Sequence, residues 1–158
     1  MVFGDDQKNG PVAARNGSPP YDRAWGLVLA AWVVALSATL GALFIGEVMG
    51  REPCVLCWYQ RAFMFPLAVV LAIACFVWDP GVGRYALPLA AMGWFVALYH
   101  NLLYAGFIPQ RIEPCGTGPS CSSADMITLG WVPIPTLSLG AFTAIIVLLI
   151  LARRSSEL

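Results

Sequence analysis

The sequence predicts an all-α membrane protein, a four-helix transmembrane bundle with two outward-facing loops that carry paired cysteines. Composition, hydropathy and the placement of charge predict it. Of the 158 residues, 59% are hydrophobic and 11% charged, against about 45–50% and 25% in a soluble domain. Mean hydropathy is +0.73. The stretches Ala24–Gly46, Ala62–Trp78, Tyr85–Phe107 and Gly130–Ala152 contain no charged residue at all. Such a chain is too apolar to be disordered, and a soluble bundle would lack the polar surface to coat its helices. Nine basic residues balance nine acidic ones, which excludes nucleic-acid binding through bulk charge.

The elements follow in chain order. Residues 1–23, rich in Gly, Pro, Asp and Asn, read as a disordered cytoplasmic tail. The membrane domain covers 24–152, with spans near 24–46, 58–78, 85–107 and 130–152, and residues 153–158 form a short cytoplasmic tail. A helix of about 23 residues reaches roughly 34 Å, enough for a hydrocarbon core of about 30 Å. The second charge-free stretch is shorter and is extended by Trp58 and Tyr59, which suit the interface. The first span reads as a mature helix, because a polar segment precedes it and its apolar run exceeds the usual signal-peptide core.

Four spans place both termini on one side. Lys8, Arg15, Arg23, Arg84, Arg153 and Arg154 lie on that side, and Arg51, Arg61 and Arg111 on the other. The positive-inside rule makes the termini cytoplasmic. Loops Glu47–Arg61 and Ile108–Leu129 then face outward. Four of the five cysteines fall in those loops, Cys54 and Cys57 in the first and Cys115 and Cys121 in the second. That is the oxidising side, where paired cysteines are expected.

Two intervening residues let the sulfurs of Cys54 and Cys57 meet in one turn. Pro53 suits a helix start, and cysteines at a helix N-terminus feel its positive end, which favours the thiolate that attacks in disulfide exchange. Arg61 lies four residues past Cys57 on the same helix face, placed to stabilise an anion. The pair alone is also compatible with a zinc site or a plain staple. Cys115 and Cys121 enclose Gly116, Gly118 and Pro119, an accessible turn-rich ring suited to a relay, or to a structural clip. The chain has no haem, flavin or iron–sulfur motif, so lipid beside the first pair makes a lipid-soluble quinone the economical electron acceptor.

The octapeptide Cys54-Val55-Leu56-Cys57-Trp58-Tyr59-Gln60-Arg61 closely resembles the active-site segment of the disulfide bond formation protein B family (DsbB and its relative BdbC). Tyr99-His100-Asn101, Ile108-Pro109, Pro114-Cys115 and Ile134-Pro135-Thr136-Leu137-Ser138-Leu139 resemble the BdbC branch. The resemblance covers roughly Ala24–Arg153. It implies a four-helix membrane bundle with a quinone site, for ubiquinone or menaquinone, at the outward end near span two. It also implies a thiol oxidase in the cytoplasmic (inner) membrane of a bacterium, whose partner is an extracytoplasmic thioredoxin-fold oxidase of the DsbA/BdbD kind. By the same resemblance Cys115 forms the mixed disulfide with that partner, electrons pass to Cys54–Cys57, Cys57 contacts quinone and Arg61 assists it. The second pair is separated by only five residues, shorter than in the enterobacterial type, which leaves the part played by Cys121 open. A stapled membrane scaffold or accessory subunit and an outward-directed disulfide reductase are the competing readings.

His100, the single histidine, lies near the outward end of span three, placed to bond a quinone carbonyl or a neighbouring helix. Cys75 reads as a packing residue deep in span two. Pro66 is expected to soften span two, and Pro133 and Pro135 the start of span four. Glu47 and Glu52 read as solvated. Gly41, Ala42, Gly46, Gly93 and Gly140 are expected to serve close helix packing. No resident metal is expected.

Overall fold

The computed structural model describes residues 20–77, 79, 81–108, 127–128 and 132–156. Its helices are α1 (Pro20–Leu43), α2 (Val55–Val77), α3 (Gly83–Tyr104) and α4 (Ile134–Ser156), with a π-helical turn, Phe44–Val48, continuing α1. All four are long and apolar enough to cross a membrane. Two strands, β1 (Ile127–Thr128) and β2 (Val132–Pro133), form a small antiparallel hairpin leading into α4, with Ile127 opposite Pro133. That hairpin is an addition to the all-α expectation.

Local chemistry sets the helix ends. Pro20 opens α1, where its missing N–H costs nothing. The π turn closes at Gly50, whose φ of 64° is left-handed, with Arg51 N–H donating to Ile45 O at 3.3 Å. The carboxylate of Asp79 accepts Gly81 N–H at 2.7 Å and the Tyr85 hydroxyl, shaping the turn between α2 and α3. At the end of α3, Gly106 (φ 78°) makes a Schellman motif, in which Phe107 N–H donates to Leu102 O and Gly106 N–H to Leu103 O. Helix α4 starts at Ile134 rather than at the beginning of its charge-free stretch, because Val132 and Pro133 pair with β1. It continues through Arg153 and Arg154, since cations in a last turn complement the helix dipole.

The helices pack in ring order, α1 on α2, α2 on α3, α3 on α4 and α4 on α1. Side-chain bonds show that neighbours alternate in direction. Trp25 near the start of α1 donates to Cys75 O near the end of α2 at 3.2 Å. Asn101 near the end of α3 donates to Pro135 O at the start of α4 at 2.7 Å. The core between them is apolar and close-packed: Leu67, Leu71, Phe142, Ile145 and Leu149 are fully buried. Along α3 the inward face is Ala86, Ala90, Gly93 and Ala97, small residues that let helices approach. Phe142 fills the space this leaves, and a Cβ on Gly93 would lie 2.3 Å from its ring. Gly41 and Gly140 depart from the packing expectation, since a Cβ on either would meet nothing within 4 Å. Outward, Phe76, Phe95, Val69 and Ile73 are exposed, as a lipid-facing surface requires. Cys75 packs partly buried against the core.

Candidate active site

Cys54 is the N-cap of α2. Trp58 N–H donates to its carbonyl at 3.1 Å, and Cys57 N–H donates to its sulfur at 3.4 Å. An N-cap side chain ordinarily satisfies the N–H three residues on, so the Cys-x-x-Cys spacing puts one cysteine at the cap and the other at the position it caps. The two thiols are 3.0 Å apart and hydrogen-bonded. Both are free cysteines, Cys54 buried and Cys57 half-buried. The hydrogen bond from Cys57 holds the Cys54 thiol well below its ordinary 9.0, at about 5; burial opposes the shift, and His100 adds to it. The positive end of α2 acts in the same sense.

Behind Cys54 lies α3. His100 is 0% exposed and Gln60 6%. Gln60 Nε2 meets His100 Nδ1 at 2.9 Å, and His100 Nε2 faces Cys54 Sγ at 3.9 Å. One residue on, Asn101 donates to Ala97 O and Pro135 O and accepts the Thr136 hydroxyl, tying α3 to α4 at the same end.

Beside the cysteines a cavity of about 820 Å³ opens between α1, α2 and α4. Its wall is largely apolar, including Val33, Ala38, Met64, Phe65 and Leu137, and Cys54, Cys57, Gln60 and Arg61 also line it. Arg61 is held by α1: Nη2 donates to Ala42 O at 2.7 Å, and its guanidinium lies over the Trp58 ring at 5.6 Å. It also occupies the space above Gly46, where a Cβ would sit 3.0 Å from Nη2. The π turn explains the acceptor. A π turn breaks the regular ladder at its entry and leaves carbonyls for other donors, and Ala42 stands just before it. Gly46 thus makes room for an arginine rather than for a helix.

His100 is not part of the cavity wall among the described residues; it sits behind Cys54, bonded across helices. Glu47 and Glu52 are exposed. Cys115 and Cys121 lie outside the described residues. Sequence reasoning did not single out Gln60, and it read Gly46 as a helix-packing residue. Gln60 had one signal, a polar side chain three residues past Cys57 in a largely apolar helix. Nothing in the sequence marked the contact of Gly46 with Arg61, because it depends on another helix.

A capped dithiol at the mouth of a membrane bundle, its first thiol acidic and both thiols lining an apolar cavity, defines a membrane thiol:disulfide oxidoreductase. The comparisons with known proteins agree. The family model "Disulfide bond formation protein DsbB" matches residues 22–152, and the chain belongs to that family. A "Probable disulfide formation protein" of Metapseudomonas resinovorans is 61% identical over 136 residues, covering 85% of this chain and 94% of the relative. One of the same description from Deinococcus radiodurans is 46% identical, covering 75% of this chain and 83% of the relative. "Disulfide bond formation protein C" of Bacillus subtilis is 43% identical over 126 residues, 78% of this chain and 90% of that one. No solved structure matches the chain.

Proposed function

We propose that this multi-pass membrane protein is a thiol oxidase that reoxidises an extracytoplasmic thioredoxin-fold disulfide donor and passes the electrons to a membrane quinone. One observation carries the reading: Cys57 and Arg61 share the wall of an apolar cavity large enough for a small organic ligand. A quinone ring suits such a wall, and the guanidinium supplies a hydrogen bond to a carbonyl oxygen or to the charge that develops on it. Both termini face the cytoplasm in this reading, supported by Arg153 and Arg154 at the end of α4. That puts the cysteine end of the bundle outside.

The chemistry balances. Reduced partner transfers two electrons and two protons by exchange at Cys115 and Cys121, and these reduce the Cys54–Cys57 disulfide to the dithiol. Reoxidation forms the Cys54–Cys57 bond and delivers two electrons to the quinone, which leaves as quinol with one proton from the Cys57 thiol and one from solvent, the latter replacing the proton lost when Cys54 ionises. Both cysteines line the cavity, and the family resemblance makes Cys57 the one that contacts the quinone. Cys54, held as thiolate, is the nucleophile that closes the disulfide. His100 acts on this step through Cys54.

The test uses purified protein in lipid discs loaded with oxidised quinone. Adding a reduced thioredoxin-fold dithiol protein should turn quinone to quinol and oxidise the partner in equal amounts. A scaffold gives no quinol. A reductase instead consumes quinol and reduces an oxidised partner. For orientation, a membrane-impermeant thiol reagent applied outside intact cells should label Cys115 and Cys121 after reduction; labelling only from the cytoplasmic side would overturn that assignment.

A further inference from the structure

Gln60 and His100 are the two buried polar residues of the described core, and the thiol–quinone exchange above assigns no task to Gln60. A buried amide at membrane depth is costly unless it is paired, and its partner here is a specific nitrogen. Gln60 presents Nε2, an obligate donor, to His100 Nδ1 at 2.9 Å. A nitrogen that accepts a hydrogen bond carries no proton, so a neutral imidazole must carry it on Nε2. That nitrogen faces Cys54 Sγ at 3.9 Å, within reach of a sulfur acceptor. The chain of bonds thus has one polarity: amide to imidazole, imidazole to sulfur.

We propose that Gln60 is a positioning residue that fixes the Nε2–H tautomer of His100, so that the imidazole donates to the sulfur of Cys54 and holds the negative charge of the reduced pair on that cysteine. As a thiolate, Cys54 faces three donors, the Cys57 thiol, the Cys57 backbone N–H and the His100 ring. With the opposite tautomer, an Nε2 lone pair would face the sulfur and favour the protonated thiol instead. Other ionisable groups around the pair are Arg51, Glu52 and Arg61 at the cavity, and Tyr99 and Tyr104 packed beside Cys54 from α3. None of these stands between Gln60 and the imidazole nitrogen it bonds.

The proposal rests on Cys54–Cys57 being the exchanging pair, but its test needs neither quinone nor partner. The chain has one histidine, so nitrogen-15 labelling of histidine gives two ring resonances and no overlap. In the reduced wild-type protein at neutral pH, Nε2 should resonate as a protonated nitrogen and Nδ1 as an unprotonated one. In Gln60→Glu the carboxylate accepts from the ring, and Nδ1 should become protonated. Gln60→Leu should show a mixture of tautomers. A wild-type Nδ1–H tautomer overturns the proposal, and so does an unprotonated Nδ1 in Gln60→Glu. The wild-type spectrum decides even if both variants fail to fold. A second readout is alkylation of Cys54 in reduced Cys57→Ala protein, below the ordinary thiol value of 9.0. There Gln60→Leu and His100→Ala should each slow the reaction by up to about four- to fifteenfold, with the deficit vanishing at high pH, because loss of one donor to a charged group raises the thiol's value while the more basic thiolate reacts faster and offsets about half of the change. A purely structural role would lower stability in both variants and leave the alkylation profile where it was. Failure of quinone reduction alongside the expected tautomer would count against the oxidase reading alone.

Discussion

In the middle of the bundle Leu67, Leu71, Phe142, Ile145 and Leu149 are held by shape, with no polar atom among their side chains. At the cysteine end Arg61, Gln60, His100 and Asn101 are each held by a named bond, two of them to backbone carbonyls of another helix. The first region resembles the interior of any close-packed domain. The second is a set of polar groups that each need a partner, because an unpaired one at that depth costs more than a cavity of the same size. The difference teaches where substitutions will show: volume governs the middle, and donors and acceptors govern the end. The proposed chemistry belongs to the end, so changes there should separate from changes in stability.

The largest separation is at the cysteines. Cys54→Ser and Cys57→Ser change volume little, so each variant should fold and purify like the parent. Each should reduce quinone in lipid discs only at the uncatalysed rate, because neither can form the disulfide. Residual turnover in either variant would move the exchanging pair away from α2.

Next in size is the dependence on pH. Cys54 titrates at about 5 rather than 9.0, chiefly through its bond from Cys57. Its depressed value means that the charge stabilises the reduced fold fully above the ordinary value, progressively less as pH falls, and not at all below about 5. Between those limits oxidation of the pair releases one proton instead of two. The slope of its reduction potential against pH should therefore be half as steep above about pH 5 as below it, measured against a thiol buffer. A single slope across that range would place the charge elsewhere.

What the sequence made legible follows the same division. Spans are visible because charged residues are excluded from them, and the Cys54–Cys57 pair because its spacing matches a helix cap. The start of α4 was less visible, since the pairing of Pro133 with Ile127 depends on residues whose composition does not separate strand from helix. The π turn, the seat of Arg61 over Gly46 and the bond between Gln60 and His100 were not visible. The last two are contacts between different helices, set by their relative placement, and no local propensity encodes any of the three.

Arg61 tests the polar end directly. Its guanidinium is tied to Ala42 O and stacked on Trp58, so its charge is fixed at the cavity wall. Arg61→Ala should weaken quinone use by about 1–3 kcal/mol, the range for a hydrogen bond to a charged group, or roughly 5- to 150-fold in apparent quinone affinity. Exchange with the partner protein should change far less. Arg61→Lys should recover only part of the loss, because an ammonium cannot reproduce the planar fork. Equal quinone dependence in all three proteins would reduce Arg61 to an anchor of α2.

The finest test sets one glycine against another. At Gly93 an added Cβ would lie 2.3 Å from Cε1 and 2.4 Å from Cζ of Phe142, whose ring is fully buried. Rings in a packed core have nowhere to go, so Gly93→Ala should cost about 1–3 kcal/mol of stability, as overpacking does, and leave quinone affinity nearly unchanged. At Gly46 the added Cβ would lie 3.0 Å from Nη2 and 3.2 Å from Nη1 of Arg61, the far end of a long side chain that can swing aside. Helix propensity favours alanine over glycine by up to about 1 kcal/mol, so Gly46→Ala should be neutral or slightly stabilising in thermal unfolding. Swinging aside lengthens the bond to Ala42 O and takes the charge off its place on the wall. Apparent quinone affinity should then fall by a fraction of the Arg61→Ala effect, about two- to fivefold if roughly 0.5–1 kcal/mol of the interaction is lost. The double variant Gly46→Ala with Arg61→Ala should be no worse than Arg61→Ala alone, because the glycine acts only through the arginine. Additive losses in that cycle would mean that Gly46 shapes the cavity itself.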